Sequence, residues 1–393
     1  MAGRPAIARV GRIGLVNGGG LPIARILGIE IRMSPIWAVL VAVVAVIGSQ
    51  QAALTAPQLG EAVHWAIGAA VAALFLLSVV AHELAHALTG RHVGLESRTI
   101  TLGFVGGFTP TSRMAPRPGD ELLVAVAGPL ASLVIAVLCV PLAVGAVMLG
   151  PGFGAVSGGL IVVGALNLVL GVLSLVPAAP LDGGRAVRAL AWARTGDPHR
   201  AGRITARVGR LLGYGTFALG AALALVGYAT EGLLVLCLGW LLNNGSRSLD
   251  RRLGLEELMR GVPVRDAMRR DVPEIPPQVT VDTFAGRYEG EEGLSTLPVV
   301  DDGHVLGVIG LRRLQRLGHR RFATTRAADV MIAPPQAPFL APDGPLWDAV
   351  ELMNQAGLEG LAVVAAGALE GMLTRESIGS LVRIRSLGRE PVR

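Results

Sequence analysis

The sequence predicts a mostly α-helical polytopic membrane domain of six transmembrane helices with a small membrane-associated β-hairpin or sheet, followed by a soluble α/β unit of two similar halves. Three observations lead there. Hydrophobic residues make up 52% of the chain against 16% charged, a membrane-like balance for much of its length. The apolar residues form long runs before residue 246, and charge dominates after it. All 35 basic residues are arginine, and in the first part of the chain they fall between the apolar runs, as topology signals do. A nucleic-acid partner is not expected, because that would need arginines clustered on a soluble face among aromatics, and aromatics are 4%. Cys139 and Cys237 each lie in an apolar run, which excludes a disulfide framework and a cysteine metal site.

Residues 1–34 read as a cytoplasmic arm. It carries Arg4, Arg9, Arg12, Arg25 and Arg32 and lacks the apolar core of a cleaved signal peptide. Between residues 23 and 33 apolar side chains alternate with polar ones or glycine, which predicts a short strand at the membrane surface. The membrane domain, 35–245, begins with a span at 35–54, with Trp37 as an interfacial anchor, and a second at 63–88. Between spans two and three, the β-branched residues and glycines at 99–108 predict a hairpin. Spans three and four follow at 121–149 and 158–176. A proline-rich reversal leads to a short interfacial helix at 185–194, then to spans at 211–230 and 232–243, the last one short. Arginines occupy alternate loops only. That places both termini, and the ends of spans two and four, on the cytoplasmic side of a multi-pass protein. A linker, 246–261, containing a helix at 255–260, joins two similar units at 262–320 and 326–386. Each is too small for an independent core, so the two are expected to pack together.

The chemistry gathers at His82-Glu83-Leu84-Ala85-His86 inside the second span. Residues four apart share a helix face, so both imidazoles can reach one zinc ion. Glu83 is then placed as general base toward a water that such an ion activates, the H-E-x-x-H arrangement of metalloproteases. Charges at membrane depth are costly and usually functional. The alternative is a pair of interior histidines bonding to neighbouring helices, with Glu83 at a wet edge. Two histidines leave zinc short of ligands, and Asp182, at the end of a span on the same membrane face, is the candidate third. The alternative there is that Asp182 caps a helix beginning at Gly183.

The H-E-x-x-H helix, the triplet Ala127-Gly128-Pro129 and the run Pro177-Ala-Ala-Pro180-Leu-Asp182-Gly-Gly-Arg185 together resemble the site-2 protease family of intramembrane zinc metalloproteases, over the first 245 residues. The resemblance implies that His82, His86 and Asp182 bind one zinc ion and that Glu83 is general base and acid. It also implies a prokaryotic plasma-membrane location and, as substrate, a single-span membrane protein such as an anti-sigma factor, trimmed beforehand by another protease. The tandem halves resemble a CBS-domain pair, which implies a regulatory or homodimerising module. Two positions depart from the family pattern. Ser174 stands where members commonly carry asparagine, which bears on how substrate is held. Arg313 and Ser377 stand where nucleotide-binding CBS modules often have aspartate, which favours a dimerisation platform over a nucleotide site. The glycine-rich hairpin at Gly103 to Gly107, with Gly106 and Gly107 as candidate substrate-binding residues, offers a strand edge to which an unwound substrate can add; the alternative is a plain surface loop. The competing functions are a CBS-regulated transporter or channel and a weakly proteolytic binder of membrane proteins.

Overall fold

A computed structural model describes residues 20–95, 99–103, 107–108, 115–288, 296–315 and 317–387. Strands β1 (Leu21–Ile26) and β2 (Ile29–Met33) form an antiparallel hairpin, its turn made by Leu27 at φ 49° and Gly28 at φ 78°. One surface strand was expected here; a pair is found, because two successive residues in the left-handed region reverse the chain within the run. β2 then pairs in parallel with β3 (Thr99–Leu102), and β3 antiparallel with β4 (Gly107–Phe108), giving one sheet in the order β1-β2-β3-β4. Ile29, Ile31, Ile100 and Leu102 alternate onto one buried face, which is why this sheet lies against the helices.

The helices are α1 (Ile36–Thr55), α2 (Glu61–His92), α3 (Pro118–Met148), α4 (Gly154–Ser174), α5 (Asp182–Thr195), α6 (Pro198–Leu225) and α7 (Ala229–Met259). Among the described residues, α1 to α4 and α6 are long and apolar enough to cross a membrane. The sixth expected span falls short, since the apolar stretch of α7 ends at Asn243 and Asn244. Residues such as Leu77, Val137 and Val169 point outward from the bundle, as lipid-facing side chains would. Inside, Val44, Val71, Phe75, Val79 and Val163 pack α1, α2 and α4 together. Trp37, at the start of α1, is buried, and its indole N–H donates to the Gly103 carbonyl at 2.9 Å, tying α1 to the sheet.

The interfacial helix appears as α5. α6 begins well before the apolar run at 211–230, with the Asp197 side chain accepting from the His199 amide at its start. Its arginine-bearing first half remains helical beside α7, where Arg203 meets Glu257 at 2.8 Å and Arg210 meets Asp250 at 2.6 Å. α7 continues unbroken through the expected linker, and its last residue, Met259, enters the soluble core.

That soluble part contains α8 (Val281–Tyr288), β5 (Thr296–Asp301), β6 (His304–Gly310), α9 (Leu311–Gln315), α10 (Ala327–Val330), α11 (Leu346–Ala356), β7 (Gly360–Ala365), β8 (Ala368–Thr374) and α12 (Arg375–Leu387). The two halves repeat each other closely. Leu297 pairs with Ile309 as Leu361 pairs with Leu373, with a bulge at Val299/Val300 and again at Val363/Val364. Both hairpins turn through left-handed residue pairs, Asp302-Gly303 and Ala366-Gly367. One sheet, β5-β6-β8-β7, and one core unite them: Val299, Val308, Ile309, Leu361, Val363 and Met372 are all fully buried.

Candidate metal centre

His82 and His86 lie one turn apart on α2, and both are buried. Their Nε2 atoms are 3.3 Å apart. The Asp182 carboxylate Oδ2 lies 3.4 Å from the first and 3.3 Å from the second, closing a nearly equilateral triangle. The second alternative left open by the sequence is thereby settled: α5 starts at Asp182 itself, its cap position is Leu181, and no side-chain cap bond forms. Asp182 reaches the histidines because α5 starts tucked under the end of α4. A Cβ at Gly183 would collide with the backbone carbonyls of Leu175 and Val176, so only glycine permits that approach.

One face of α3 completes the surroundings through residues 124, 128 and 132, spaced by single helical turns. The Val124 carbonyl lies 2.7 Å from His86 Nδ1, and a carbonyl can only accept, so Nδ1 carries the proton and Nε2 presents a lone pair. The fully buried Ser132 hydroxyl, 2.9 Å from His82 Nδ1, can hold that ring in the same tautomer. Between them Gly128 faces the ring nitrogens directly. A Cβ there would fall 2.7 Å from His82 Nε2 and closer still to His86 Nε2.

These distances test whether the residues fit a metal ion. Zinc held tetrahedrally at about 2.0–2.1 Å requires donors about 3.3–3.4 Å apart, the separation found for all three pairs. Three acceptors this close repel one another unless a cation or added protons lie between them. The Asp182 side chain is mostly buried against the two rings, so its carboxylate oxygen is turned into the triangle rather than out to solvent. Among the described residues, no other group of three or more histidine, cysteine or acidic side chains could hold an ion.

Glu83 is buried beside His82 and lies close enough to His86 to interact with it electrostatically. Ser174 ends α4 with its hydroxyl donating to the Gly171 carbonyl of its own helix at 3.1 Å, which leaves it only as an acceptor. Gly107 pairs with Leu102 in the sheet, and Gly106 lies outside the described residues. In the soluble part, Arg313 is on α9, and Ser377 exchanges bonds with Thr374 at the start of α12. The Ser377 side chain borders a cavity of about 540 Å³, shared with Asp266, Arg269, Glu376 and Arg385. Sequence reasoning missed Ser132 and Val124 and gave Gly128 no role. Gly128 was visible only as part of the Ala127-Gly128-Pro129 triplet, and Ser132 only as a small polar residue one helical turn further on.

Residues 70–157 match the family model of peptidase family M50, and residues 264–319 and 327–381 each match that of the CBS domain. A relative described as "Putative zinc metalloprotease Rip3", from Mycobacterium tuberculosis, is 32% identical over 376 residues, which cover 93% of this chain and 94% of the relative. The chain belongs to peptidase family M50. Zinc metalloprotease MJ0392 of Methanocaldococcus jannaschii is 25% identical over 341 residues, 84% of this chain and 89% of that protein. The solved site-2 protease of that organism aligns with 59% of this chain and 95% of its own, at 25% identity and a TM-score of 0.40. The M50 match takes in His82, His86 and Gly128 and stops before Asp182. This M50 peptidase is thus a site-2-type metalloprotease and an integral membrane protein, ending in a CBS pair.

Proposed function

We propose that this peptidase holds one zinc ion through His82 Nε2, His86 Nε2 and the Asp182 carboxylate, and hydrolyses a peptide bond in or near the transmembrane helix of a single-span membrane protein. The triangle of donors, inside a helix otherwise suited to the bilayer, is the observation that carries the reading. When bound, zinc supplies the Lewis acidity that polarises the scissile carbonyl and makes water a nucleophile near neutral pH. The chain's own residues do the rest. Glu83 takes the proton of the attacking water and returns it to the leaving amine. Val124 and Ser132 hold the two imidazoles in the ligating tautomer, and the surrounding helices limit water to the immediate site.

The substrate's helix has to unwind before its peptide bonds can be reached, and its freed amides and carbonyls then need partners. The short edge strand β4, which begins at Gly107, offers a backbone row for that purpose. The arginine pattern supports a cytoplasmic side for the mouth of the site, both termini and the CBS pair, and the family resemblance supports the plasma membrane of a prokaryotic cell. A membrane-tethered regulator such as an anti-sigma factor, already trimmed by another protease, suits that geometry. The CBS pair then acts as a regulatory or homodimerising module. The test compares membrane proteins accumulating as trimmed stubs in cells carrying the intact enzyme and Glu83→Gln. Stubs should build up with Glu83→Gln while zinc content stays near that of the parent; unchanged cleavage removes Glu83 from the chemistry.

A further inference from the structure

A buried carboxylate outside the donor set bridges the two helices that have to meet at the centre. Glu121, in the first turn of α3, is 2% exposed. Its Oε1 accepts from Arg188 Nη2 at 2.6 Å and from Arg185 Nε at 3.2 Å. Both arginines belong to α5, and they follow Asp182 by about one and two turns. On α3, Glu121 precedes by one turn Val124, whose carbonyl holds His86, and by about two turns Gly128, which faces both imidazoles. An acid in the first turn of a helix commonly serves the helix dipole from the surface. Glu121 differs because it is buried, and a carboxylate so removed from water persists only against cations fixed in place. The Arg203–Glu257 pair joining α6 to α7 is by contrast exposed on both sides.

We propose that Glu121 is a positioning residue for the metal centre. By clamping Arg185 and Arg188 it sets α5 against α3, so that the Asp182 carboxylate meets the two imidazoles at ligating distance. The inference rests on the reading that His82, His86 and Asp182 bind zinc. It assigns the third ligand's placement to Glu121 and Arg188, which lie outside the motifs that mark the site, together with Arg185, the last residue of one of them. α2 and α3 fix two donors directly; the third arrives on a separate helix and needs its own tether.

The experiment uses the full-length protein in detergent, as Glu121→Gln, Glu121→Ala, Glu121→Asp and Arg185→Gln, with Arg203→Ala as control. Zinc retention is measured against a competing chelator, thermal unfolding is followed in parallel, and cleavage is measured at limiting and at excess zinc. Loss of an outer contact to a metal site typically weakens binding about 10–100-fold, and that is expected for Glu121→Gln and Glu121→Ala. Glu121→Asp should recover part of it, and Arg185→Gln should show a smaller loss. Cleavage should return toward the parent rate as zinc is raised, which a merely structural defect would not do. Folded Glu121→Gln that keeps zinc as tightly as the parent overturns the inference, as does activity that stays low at excess zinc. Should Glu121→Ala fail to fold, Glu121→Gln, which keeps the shape and an acceptor, decides alone. His82→Ala separates the two levels: if it retains zinc, the metal reading itself falls, whereas if it loses zinc while Glu121→Gln does not, only the positioning role falls.

Discussion

Replacing Gly128 by alanine should cost this peptidase its zinc while leaving the fold in place. The added methyl would sit 2.7 Å from His82 Nε2 and nearer to His86 Nε2, whereas ordinary contact requires about 3.5 Å. To relieve the clash at His86 Nε2, the nearer atom, α3 would have to retreat from α2 by more than about 1 Å, or the rings would have to turn away from Asp182. Either movement opens the 3.3–3.4 Å triangle. Overpacking of this kind costs about 1–3 kcal/mol of stability, while a donor set spread beyond tetrahedral reach should lose at least about 100-fold in zinc affinity. Gly119 lies on the same helix with open space where its Cβ would be, so Gly119→Ala is the matched control. Metal content and chelator competition on the two detergent-solubilised variants give the answer. Zinc held by Gly128→Ala as tightly as by Gly119→Ala would refute the placement of the ion between the imidazoles and α3.

Asp182→Asn keeps the side chain's size and removes its charge, and should weaken zinc binding by at least about 100-fold, with cleavage lost in parallel; full metal occupancy at low free zinc would contradict its role as ligand. Arg203→Ala breaks an exposed pair with Glu257 and should change unfolding by less than about 1 kcal/mol; a large drop in thermal midpoint would mean the pair matters far more than its exposure allows. Leu361→Ala empties a fully buried position in the core shared by the CBS halves and should cost about 2–5 kcal/mol there. Hydrogen exchange should then rise in β5 and β6 as well as in β7 and β8, with zinc retention unchanged; a rise confined to β7 and β8 would show two separate cores.

What could be read from the sequence was what depends on local geometry. His82 and His86 share a helix face at any i, i+4 spacing, so their pairing needed no tertiary information. Asp182 was legible as a candidate, but its competition with a capping role turned on where α5 begins, and that depends on Gly183 slipping beneath the end of α4. Val124 left no signature because it acts through its backbone carbonyl. Ser132 looks like any small polar residue tolerated within a span, since its partner lies on another helix. Counting apolar residues placed the start of α6 too late because the count stops at arginines, whereas the helix carries on where Glu257 and Asp250 neutralise them. The bond from the Trp37 indole to the Gly103 carbonyl was out of reach of the sequence, since the acceptor lies 66 residues away. The soluble repeat was plain, because each half repeats its strand pairing and turn chemistry.

α7 deserves a mechanical reading. It runs as one rod from Ala229 to Met259 and is anchored at both levels. Near its middle, Gly245 presses so closely on Ala179 and Pro180 that no side chain would fit, just ahead of Asp182 in the chain. At its far end, Met259 is sunk in the CBS core, and Arg385 grips the Leu258 carbonyl at 3.0 Å. One continuous helix thus touches both the bend that precedes Asp182 and the core of the CBS pair, where a flexible linker would have left the two parts of the chain independent.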